Sequence, residues 1–260
     1  MASLADRTIA ALLDHHDALA SVVANLSDAE LKGPSAASEW SVAQVLSHLG
    51  SGAELNLRAC QVALGDAAEP EDDYNRRIWD RWDGMRPDEQ AQQFVAHDEQ
   101  LVELLDALTA EQREGLHVKL SYLPEPVGIA TLTGMRLNEV ALHSWDVRVA
   151  LDPTAKLDDE AADILAEQYS GGLAFMLRHV GKADALSQPA VVDAGSYGLV
   201  IADRVRLTSS PQNVTASFEG PLEALVRLIG GRLTDAYTPD SVRVSGELTI
   251  DDLRRVFPGF

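Results

Sequence analysis

The chain has 260 residues, of which 46% are apolar, and this is enough to fill two domain cores of ordinary size. It carries 41 acidic and 21 basic residues, and the formal net charge of −20 argues against binding to nucleic acid or to anionic membrane surfaces. The charged N-terminal segment, the lack of an apolar run of about 18 residues and the single cysteine predict a cytoplasmic protein without a signal peptide, membrane span or internal disulfide.

Apolar residues recur at helical spacing through most of the first 110 residues. The first predicted helix covers residues 4–26. A second begins after Ser41, a candidate N-cap, and runs to Leu64. Two glycines, Gly50 and Gly52, interrupt this second helix at a cost of about 1 kcal/mol each, so a packing or access reason for them is expected.

The pattern over residues 71–108 is again helical, with a break near residues 84–87. A Pro-Glu-Pro turn at 124–126 then opens a helix over about 129–151. This helix is apolar nearly all round, which is typical of a buried helix. The four long helices together predict an all-α, up-and-down four-helix bundle over residues 1–153.

The sequence texture changes after Asp152-Pro153. One further helix is predicted over residues 158–180, followed by short alternating runs that are typical of strands. Two short helices are interspersed among them, at 221–229 and 250–256. We therefore predict a small α+β domain over residues 154–260. The predicted strands are 190–193, 197–202, 205–208, 214–218 and 242–244.

The chain has seven histidines, and only His143 has an acidic residue or another histidine four positions away. That residue is Glu139. Residues four apart on a helix differ by about 40° in direction, so both side chains point to one spot. A carboxylate buried on so apolar a helix must be paired, protonated or bound to a cation.

His48, in the second helix, is the best candidate for a third ligand, and Gly52 one turn later removes a side chain beside it. Two histidines and a glutamate form a set that binds zinc with one position open. The spacing of these three residues is also compatible with an alternative to a metal site, in which His48 is an ordinary core histidine and Glu139 pairs with Arg136 or Arg148.

Two segments resemble a known family. Trp40-Ser-Val-Ala-Gln-Val-Leu-Ser-His48-Leu is similar to the W-s-v-x-x-v-l-x-H-l segment of DinB-like metal-binding bundles. Asn138-Glu139-Val-Ala-Leu-His143-Ser-Trp145-Asp146 is similar to the E-x-x-x-H-x-W-D pattern of the mycothiol-dependent maleylpyruvate isomerase family. The resemblance extends to the second half, where Gly231-Arg232-Leu resembles a turn of the sterol-carrier-like domain of these isomerases.

The resemblance implies a divalent metal, usually Zn²⁺, held by His48, Glu139 and His143. It also implies mycothiol as a low-molecular-weight thiol, and a small electrophilic substrate. In the family's reaction a thiolate adds to the cis double bond of maleylpyruvate, rotation follows, and elimination gives the trans isomer. The predicted function is therefore that of an isomerase or a thiol transferase, in a monomer or small homo-oligomer.

The chemistry of three further residues predicts their roles. Arg232 is the candidate for binding a substrate carboxylate, because a guanidinium matches a carboxylate with two hydrogen bonds; its alternative is a surface arginine after a glycine stop. Asp146 is predicted either to orient a ligand imidazole, to be solvated, or to pair with Arg148. Cys60 is expected in the core, so that any thiol chemistry needs an external thiol.

The remaining aromatic and histidine residues are predicted to have structural or solvent-exposed positions. Trp40 and Trp145 are expected to be core aromatics. The other five histidines have no partner at a useful spacing and are expected to face solvent; they are His15, His16, His97, His117 and His179.

Another function class stays open from the sequence. A protein with a sterol-carrier-like domain can be a small-molecule or lipid binder without turnover. This alternative requires a large, continuous apolar cavity, whereas the predicted strands carry many charged residues.

Overall fold

The computed structural model describes residues 2–37 and 39–259, and it divides the chain into two compact units, one up to Ala155 and the other from Lys156 onward. The first unit is helical and the second combines helices with a sheet. This confirms the predicted order of a helical domain and a smaller α+β domain. None of the helices in the described ranges has the length and apolar character that are needed to cross a bilayer.

Four long helices, α1, α3, α5 and α7, pack against one another in the first unit. The predicted four-helix bundle topology stays a prediction. Short elements that the sequence pattern did not reveal connect the long helices: α2, α6 and an antiparallel pair of two-residue strands, β1 and β2. The elements of the unit are α1 (Leu4–Val23), α2 (Asp28–Lys32), α3 (Val42–Leu64), α4 (Tyr74–Asp83), α5 (Pro87–Asp106), α6 (Ala110–Gly115), β1 (His117–Val118), β2 (Val127–Gly128) and α7 (Ile129–Leu151).

Helix α3 begins where the sequence predicts it. The Ser41 hydroxyl accepts a hydrogen bond from the Gln44 amide, and the Gln44 side chain accepts one from the Ser41 amide. This capping box satisfies two backbone donors that a helix start leaves unpaired, and it sets the register of the helix. His48 is therefore placed by a signal that lies within seven residues of it.

The two glycines of α3 have different neighbours. A Cβ at Gly50 would lie 2.1 Å from Cη2 of Trp82, whose ring is fully buried against the helix. A Cβ at Gly52 would lie 3.2 Å from Nη1 of Arg136. Gly50 thus makes room for an indole and Gly52 for a guanidinium, which explains both interruptions of the helical pattern by packing.

We expect Gly50→Ala to destabilise the first unit. Overpacking a core costs about 1–3 kcal/mol, which exceeds the roughly 1 kcal/mol gained from a better helix former. The measurement is the free energy of unfolding in urea, followed by helical circular dichroism. Gly115→Ala, at the end of α6 where a Cβ meets nothing within 4 Å, is the matched control and should not lose stability. Equal stability of Gly50→Ala and the parent protein would contradict this explanation.

Three charged side chains meet inside the helical unit. The carboxylate of Asp98 on α5 accepts hydrogen bonds from Arg136 on α7 at 2.7 Å and from His16 on α1 at 2.9 Å. Nη2 of Arg136 also donates to the carbonyl of Leu49, the neighbour of His48. All three side chains are buried, so His16, Asp98 and Arg136 form a buried charge cluster that links α1, α3, α5 and α7.

The cluster shifts the acid–base equilibria of its members. The hydrogen bond to Asp98 and its charge raise the pKa of His16 above the usual 6.5, together with the charges of Asp17 and Glu99 and against the effect of burial. Burial alone would raise the pKa of Asp98, but the charge of Arg136 and the hydrogen bonds from His16 and Arg136 lower it. His16 consequently keeps its proton to a higher pH in the folded protein than in the unfolded chain.

We predict that the free energy of unfolding falls as the pH rises above about 6.5. Below this pH, His16 is protonated in both states and its contribution is fully present; above it, the folded state holds a proton that the unfolded state has lost. The loss is at most about 1.4 kcal/mol per pH unit and continues through the raised pKa of the folded state. Urea unfolding at several pH values between 6 and 9 measures it. His16→Gln should have a smaller slope, and an identical slope in both proteins would disprove the assignment.

The second unit is built on a five-stranded sheet in the order β5-β4-β3-β6-β7. All neighbouring strands are antiparallel except β3 and β6, which are parallel. Every predicted strand is present within two residues of its predicted limits. The elements are α8 (Asp159–Ser170), α9 (Ala174–Val180), β3 (Ala190–Ala194), β4 (Tyr197–Ile201), β5 (Val205–Thr208), β6 (Ala216–Glu219), α10 (Leu222–Ile229), β7 (Arg243–Gly246) and α11 (Ile250–Val256).

The prediction of one helix over residues 158–180 is wrong. The backbone leaves the helical conformation at Gly171, with φ −130° and ψ −110°, and resumes it at Ala174. A Gly-Gly pair follows Ser170, and each glycine inside a helix costs about 1 kcal/mol relative to alanine. The apolar periodicity on both sides concealed the break.

Candidate metal centre

Three predicted ligands meet between α3 and α7. One ligand atom each from His48, Glu139 and His143 lies within 4.8 Å of the others. Nε2 of His48 is 3.0 Å from Oε2 of Glu139, and Nε2 of His143 is 3.7 Å from the same oxygen. The helical spacing of Glu139 and His143 and the packing of α3 against α7 are sufficient to bring the three groups together.

The cluster is open to solvent. The side chains of His48 and Glu139 are 42% and 41% exposed, and that of His143 is 14% exposed. Glu139 is therefore half-buried rather than fully buried as expected, and the alternative of a core histidine at position 48 is wrong. His48 and Glu139 are accessible from outside, and His143 is exposed only in part.

The alternative partners of Glu139 are engaged elsewhere. Arg136 donates to Asp98 and Leu49, while Nε of Arg148 donates to the Ser144 hydroxyl. Glu139 instead interacts with the two imidazoles and with the side-chain amide of Asn138. The carboxylate is thus directed toward the histidines.

Glu139 is ionised at neutral pH. Burial by itself would raise the pKa of its carboxyl, but the hydrogen bond with His48, the charges of His143 and His48 and the bond from Asn138 lower the pKa to about 2. An anionic oxygen between two imidazole nitrogens is an arrangement that favours a cation.

Asp146 orients His143. Nδ1 of His143 lies 2.9 Å from Oδ2 of Asp146, whose side chain is fully buried one turn along α7. A carboxylate at this distance can accept a hydrogen bond from Nδ1, an arrangement that turns Nε2 of His143 toward the cluster. Of the three possibilities for Asp146 that the sequence leaves open, the structure favours this one.

Trp40 lies against both histidines, contrary to the prediction of a core position. Its ring centroid is 5.1 Å from that of His48 and 5.9 Å from that of His143, and the residue is 37% exposed. Trp145 is buried, as predicted, and its indole donates to the carbonyl of Ala155. The sequence signal for Trp40 was its place just before the cap of the helix that carries His48.

The donor set fits a divalent transition metal. Two imidazole nitrogens and one carboxylate oxygen are the protein ligands of open, catalytic zinc sites. Donors about 2.0–2.1 Å from a tetrahedral ion lie roughly 3.3 Å from one another. The observed separations of 3.0 Å and 3.7 Å bracket this value. These three residues are therefore candidate metal ligands.

Arg232 and Cys60 are the two other residues with a predicted chemical role. Arg232 follows a glycine stop, with Gly231 at φ 72°, and its Nη1 donates to the carbonyl of Gly230. Its assignment to a substrate carboxylate stays a prediction. Cys60 is buried in the core, as predicted, and burial raises the pKa of its thiol to about 12.

The prediction that five histidines face solvent is correct for His117 and His179 and wrong for the others. His15 and His16 are buried, and His97 packs edge-on against Trp82 with its side chain 19% exposed. The error has one cause: local spacing does not reveal a partner on another helix, such as Asp98 for His16.

Comparison with known proteins gives the following matches. The family model of the mycothiol maleylpyruvate isomerase N-terminal domain matches residues 12–148. Two uncharacterized proteins from two strains of Mycobacterium tuberculosis are 27% identical over 146 residues, which are 56% of this chain and 68% of theirs.

Two solved structures share the fold. The crystal structure of the mycothiol-dependent maleylpyruvate isomerase superposes with a TM-score of 0.66 at 15% identity, covering 95% of this chain and 98% of that one. A mutant of that enzyme with a histidine replaced by alanine gives a TM-score of 0.65 at 14% identity, with the same coverage. Both matches extend over the helical and the α+β parts.

Proposed function

The chain belongs to the mycothiol maleylpyruvate isomerase family, and on that premise we propose that it is a metal- and mycothiol-dependent enzyme. The proposed reaction is the cis–trans isomerisation of maleylpyruvate or a related electrophile, or the transfer of the thiol to such an electrophile. The observation that carries the proposal is the solvent-accessible cluster of His48, Glu139 and His143.

The residues have separate roles. We propose that His48, Glu139 and His143 hold a divalent cation, and the donor set favours Zn²⁺. When bound, such a cation supplies a positive charge that lowers the pKa of a coordinating thiol, so that thiolate is present near neutral pH. Glu139 contributes the negative charge that retains the cation, and Asp146 keeps the proton of His143 on Nδ1.

The thiol must come from outside the chain. Cys60 is the one cysteine, it is buried, and with a pKa of about 12 its thiol stays protonated at neutral pH. In the isomerase reaction, a carbon–sulfur bond forms at one end of the carbon–carbon double bond, which becomes a single bond and rotates. The carbon–sulfur bond then breaks, the double bond forms again and the thiol is released. In a transfer reaction the carbon–sulfur bond is retained in the product.

The first experiment measures metal and activity together. Protein purified without a chelator is analysed by plasma emission, and isomerisation of maleylpyruvate is followed with and without mycothiol. We expect close to one zinc per chain and turnover that needs the thiol. Less than roughly a tenth of a zinc per chain would contradict a resident cation of the affinity typical of protein zinc sites.

A transfer assay distinguishes the two reaction types. A fluorogenic, thiol-reactive electrophile replaces maleylpyruvate, and the mycothiol conjugate is quantified. A conjugate without isomerisation of maleylpyruvate would assign the chain to thiol transfer. Isomerisation with full recovery of mycothiol would assign it to the isomerases.

A lipid-binding function is not favoured. A cavity in the second unit beside α10 and α11 has a volume of about 250 Å³. Its lining combines the charged residues Asp235, Asp251 and Arg254 with apolar residues: Leu228, Leu233, Phe257 and Pro258. Pockets for drug-sized ligands have volumes of roughly 300–1,000 Å³ and mostly apolar linings.

We predict that Asp146→Ala weakens zinc binding about 10- to 100-fold, because the partner that orients a ligating histidine contributes this much in metal sites. Asp146→Asn keeps an acceptor and should lose less. Competition with a chromophoric chelator measures the dissociation constant, and thermal unfolding of the metal-free proteins separates this effect from a loss of stability. Unchanged zinc affinity in Asp146→Ala would show that the hydrogen bond to His143 is only structural.

A further inference from the structure

We propose that Trp40 is a specificity-determining residue that binds the sugar portion of the thiol co-substrate through its indole ring. The inference rests on the proposed function and deepens it, since it assigns a contact surface for the part of mycothiol that does not react. The thiol end would lie at His48, Glu139 and His143, and the sugar end on Trp40.

Trp40 lies at the edge of the cluster. Five large apolar side chains are exposed among the described residues: Trp40, Trp79, Tyr122, Leu151 and Val214. Of these, Trp40 stacks on His143 with an interplanar angle of 25° and also lies beside His48. Its exposed ring surface therefore borders the cluster to which a ligand has access from solvent.

Hydrogen bonds of the backbone hold Trp40 in its loop. The carbonyl of Trp40 accepts hydrogen bonds from the amide and the hydroxyl of Ser35, at 2.9 and 2.8 Å, and its amide donates to Ala37. Glu39 is held at φ 69°, in the left-handed region that a residue with a Cβ rarely adopts. Such strain persists only where the surrounding structure imposes it, and it is frequent at ligand sites.

The loop before Trp40 is hydrogen-bonded to α7, the helix that carries Glu139 and His143. The amide of Ala36, in the same loop, donates to the carbonyl of Asp146 at 3.1 Å. The loop that presents Trp40 is thus tied to the residue that orients His143. These hydrogen bonds hold the indole beside the cluster, and aromatic rings contribute contact area at a low cost in conformational entropy.

The chemistry of the occupant follows from the ring. A partly exposed indole offers a flat apolar face beside a polar cluster. A sugar ring has the complementary surface, since its C–H groups form an apolar face and its hydroxyls stay in water. The small electrophile is a second possible occupant, and the test separates the two.

The experiment compares Trp40→Ala and Trp40→Phe with Trp79→Ala, which removes another exposed indole of the same unit. Zinc content is measured first in every protein. Isothermal calorimetry on the zinc-loaded proteins then gives the affinity for mycothiol and for N-acetylcysteine, a thiol without the sugar. The Michaelis constant for the electrophile is measured at saturating thiol.

We expect Trp40→Ala to bind mycothiol about 10-fold more weakly, in the range of aromatic contacts, with zinc content and N-acetylcysteine affinity unchanged. The mycothiol affinity of Trp40→Phe should lie between those of Trp40→Ala and the parent protein, and the affinity of Trp79→Ala should equal that of the parent protein.

Three results would overturn the proposal. Loss of zinc in Trp40→Ala would mean that the indole positions the imidazoles. An equal loss of affinity for both thiols, or an effect confined to the electrophile, would place the sugar elsewhere. Unchanged affinities of Trp40→Ala for both thiols would show that Trp40 does not contact mycothiol. Failure of the proposed function is recognised separately, because the parent protein would then bind neither zinc nor mycothiol, and both proposals would fall.

Discussion

Glu139→Gln is expected to weaken zinc binding by about 100- to 1,000-fold and to abolish mycothiol-dependent turnover at limiting zinc. Structural zinc sites with four ligands bind with about 10–16 kcal/mol, or roughly 3–4 kcal/mol per ligand, and each 1.4 kcal/mol is tenfold in affinity. Glutamine keeps the shape of the side chain but removes the charge that lies between His48 and His143. The two imidazoles without an anionic ligand are a much poorer site for a dication.

The measurement is a zinc titration against a chromophoric chelator, with circular dichroism to verify that the helices are intact. Glu103→Gln, at an exposed position of α5, makes the same change of charge outside the cluster and serves as the control. Equal zinc affinity of Glu139→Gln and Glu103→Gln would show that Glu139 is not a ligand. Turnover that survives removal of zinc from the parent protein would show that the reaction does not need the metal.

Asp98→Asn is expected to destabilise the helical unit by about 3–5 kcal/mol, the usual cost of removing one partner from a buried ion pair. Asp98 is the one anion of the buried charge cluster, and without it Arg136 and His16 are left in the core without a counter-charge. Asparagine has nearly the same shape, so the loss does not come from a cavity. The carbonyl of Leu49 alone cannot compensate the guanidinium.

Tryptophan fluorescence during urea unfolding measures this loss in the helical unit alone, because all four tryptophans of the chain precede residue 155. Glu103→Gln is again the control on the same helix. A second replacement, Arg136→Met, should restore part of the stability of Asp98→Asn by removing the uncompensated cation. A loss below about 1 kcal/mol in Asp98→Asn would mean that water or other groups replace the carboxylate.

The buried charge cluster also shows where sequence patterns are incomplete. Asp98 lies on the apolar face of α5, in line with Phe94, Leu101 and Leu105, which are all buried. A charged residue at such a position signals a buried partner, but it does not identify that partner. The partners are 82 and 38 residues away, on α1 and α7, and only the packing of the helices brings them together.

The elements predicted best are those whose signals are local. The start of α3 at Ser41, the limits of α7 and the five strands depend on capping, turns and periodicity within a few residues. The break at Gly171 was missed because apolar spacing continues on either side of it. The short elements α2, α6, β1 and β2 were missed because they are too short to show a period.

Local patterns in the sequence predict the helical and α+β parts and place Glu139 and His143 on one helix face, and the resemblance adds His48 as their partner. The exposure of this cluster, its contact with Trp40 and the burial of His16 beside Asp98 depend on the packing of separate helices and loops, which these patterns do not reveal. The reason is physical. Backbone propensity acts over one or two helical turns, whereas burial and the pairing of charges depend on residues that the chain brings together from different helices.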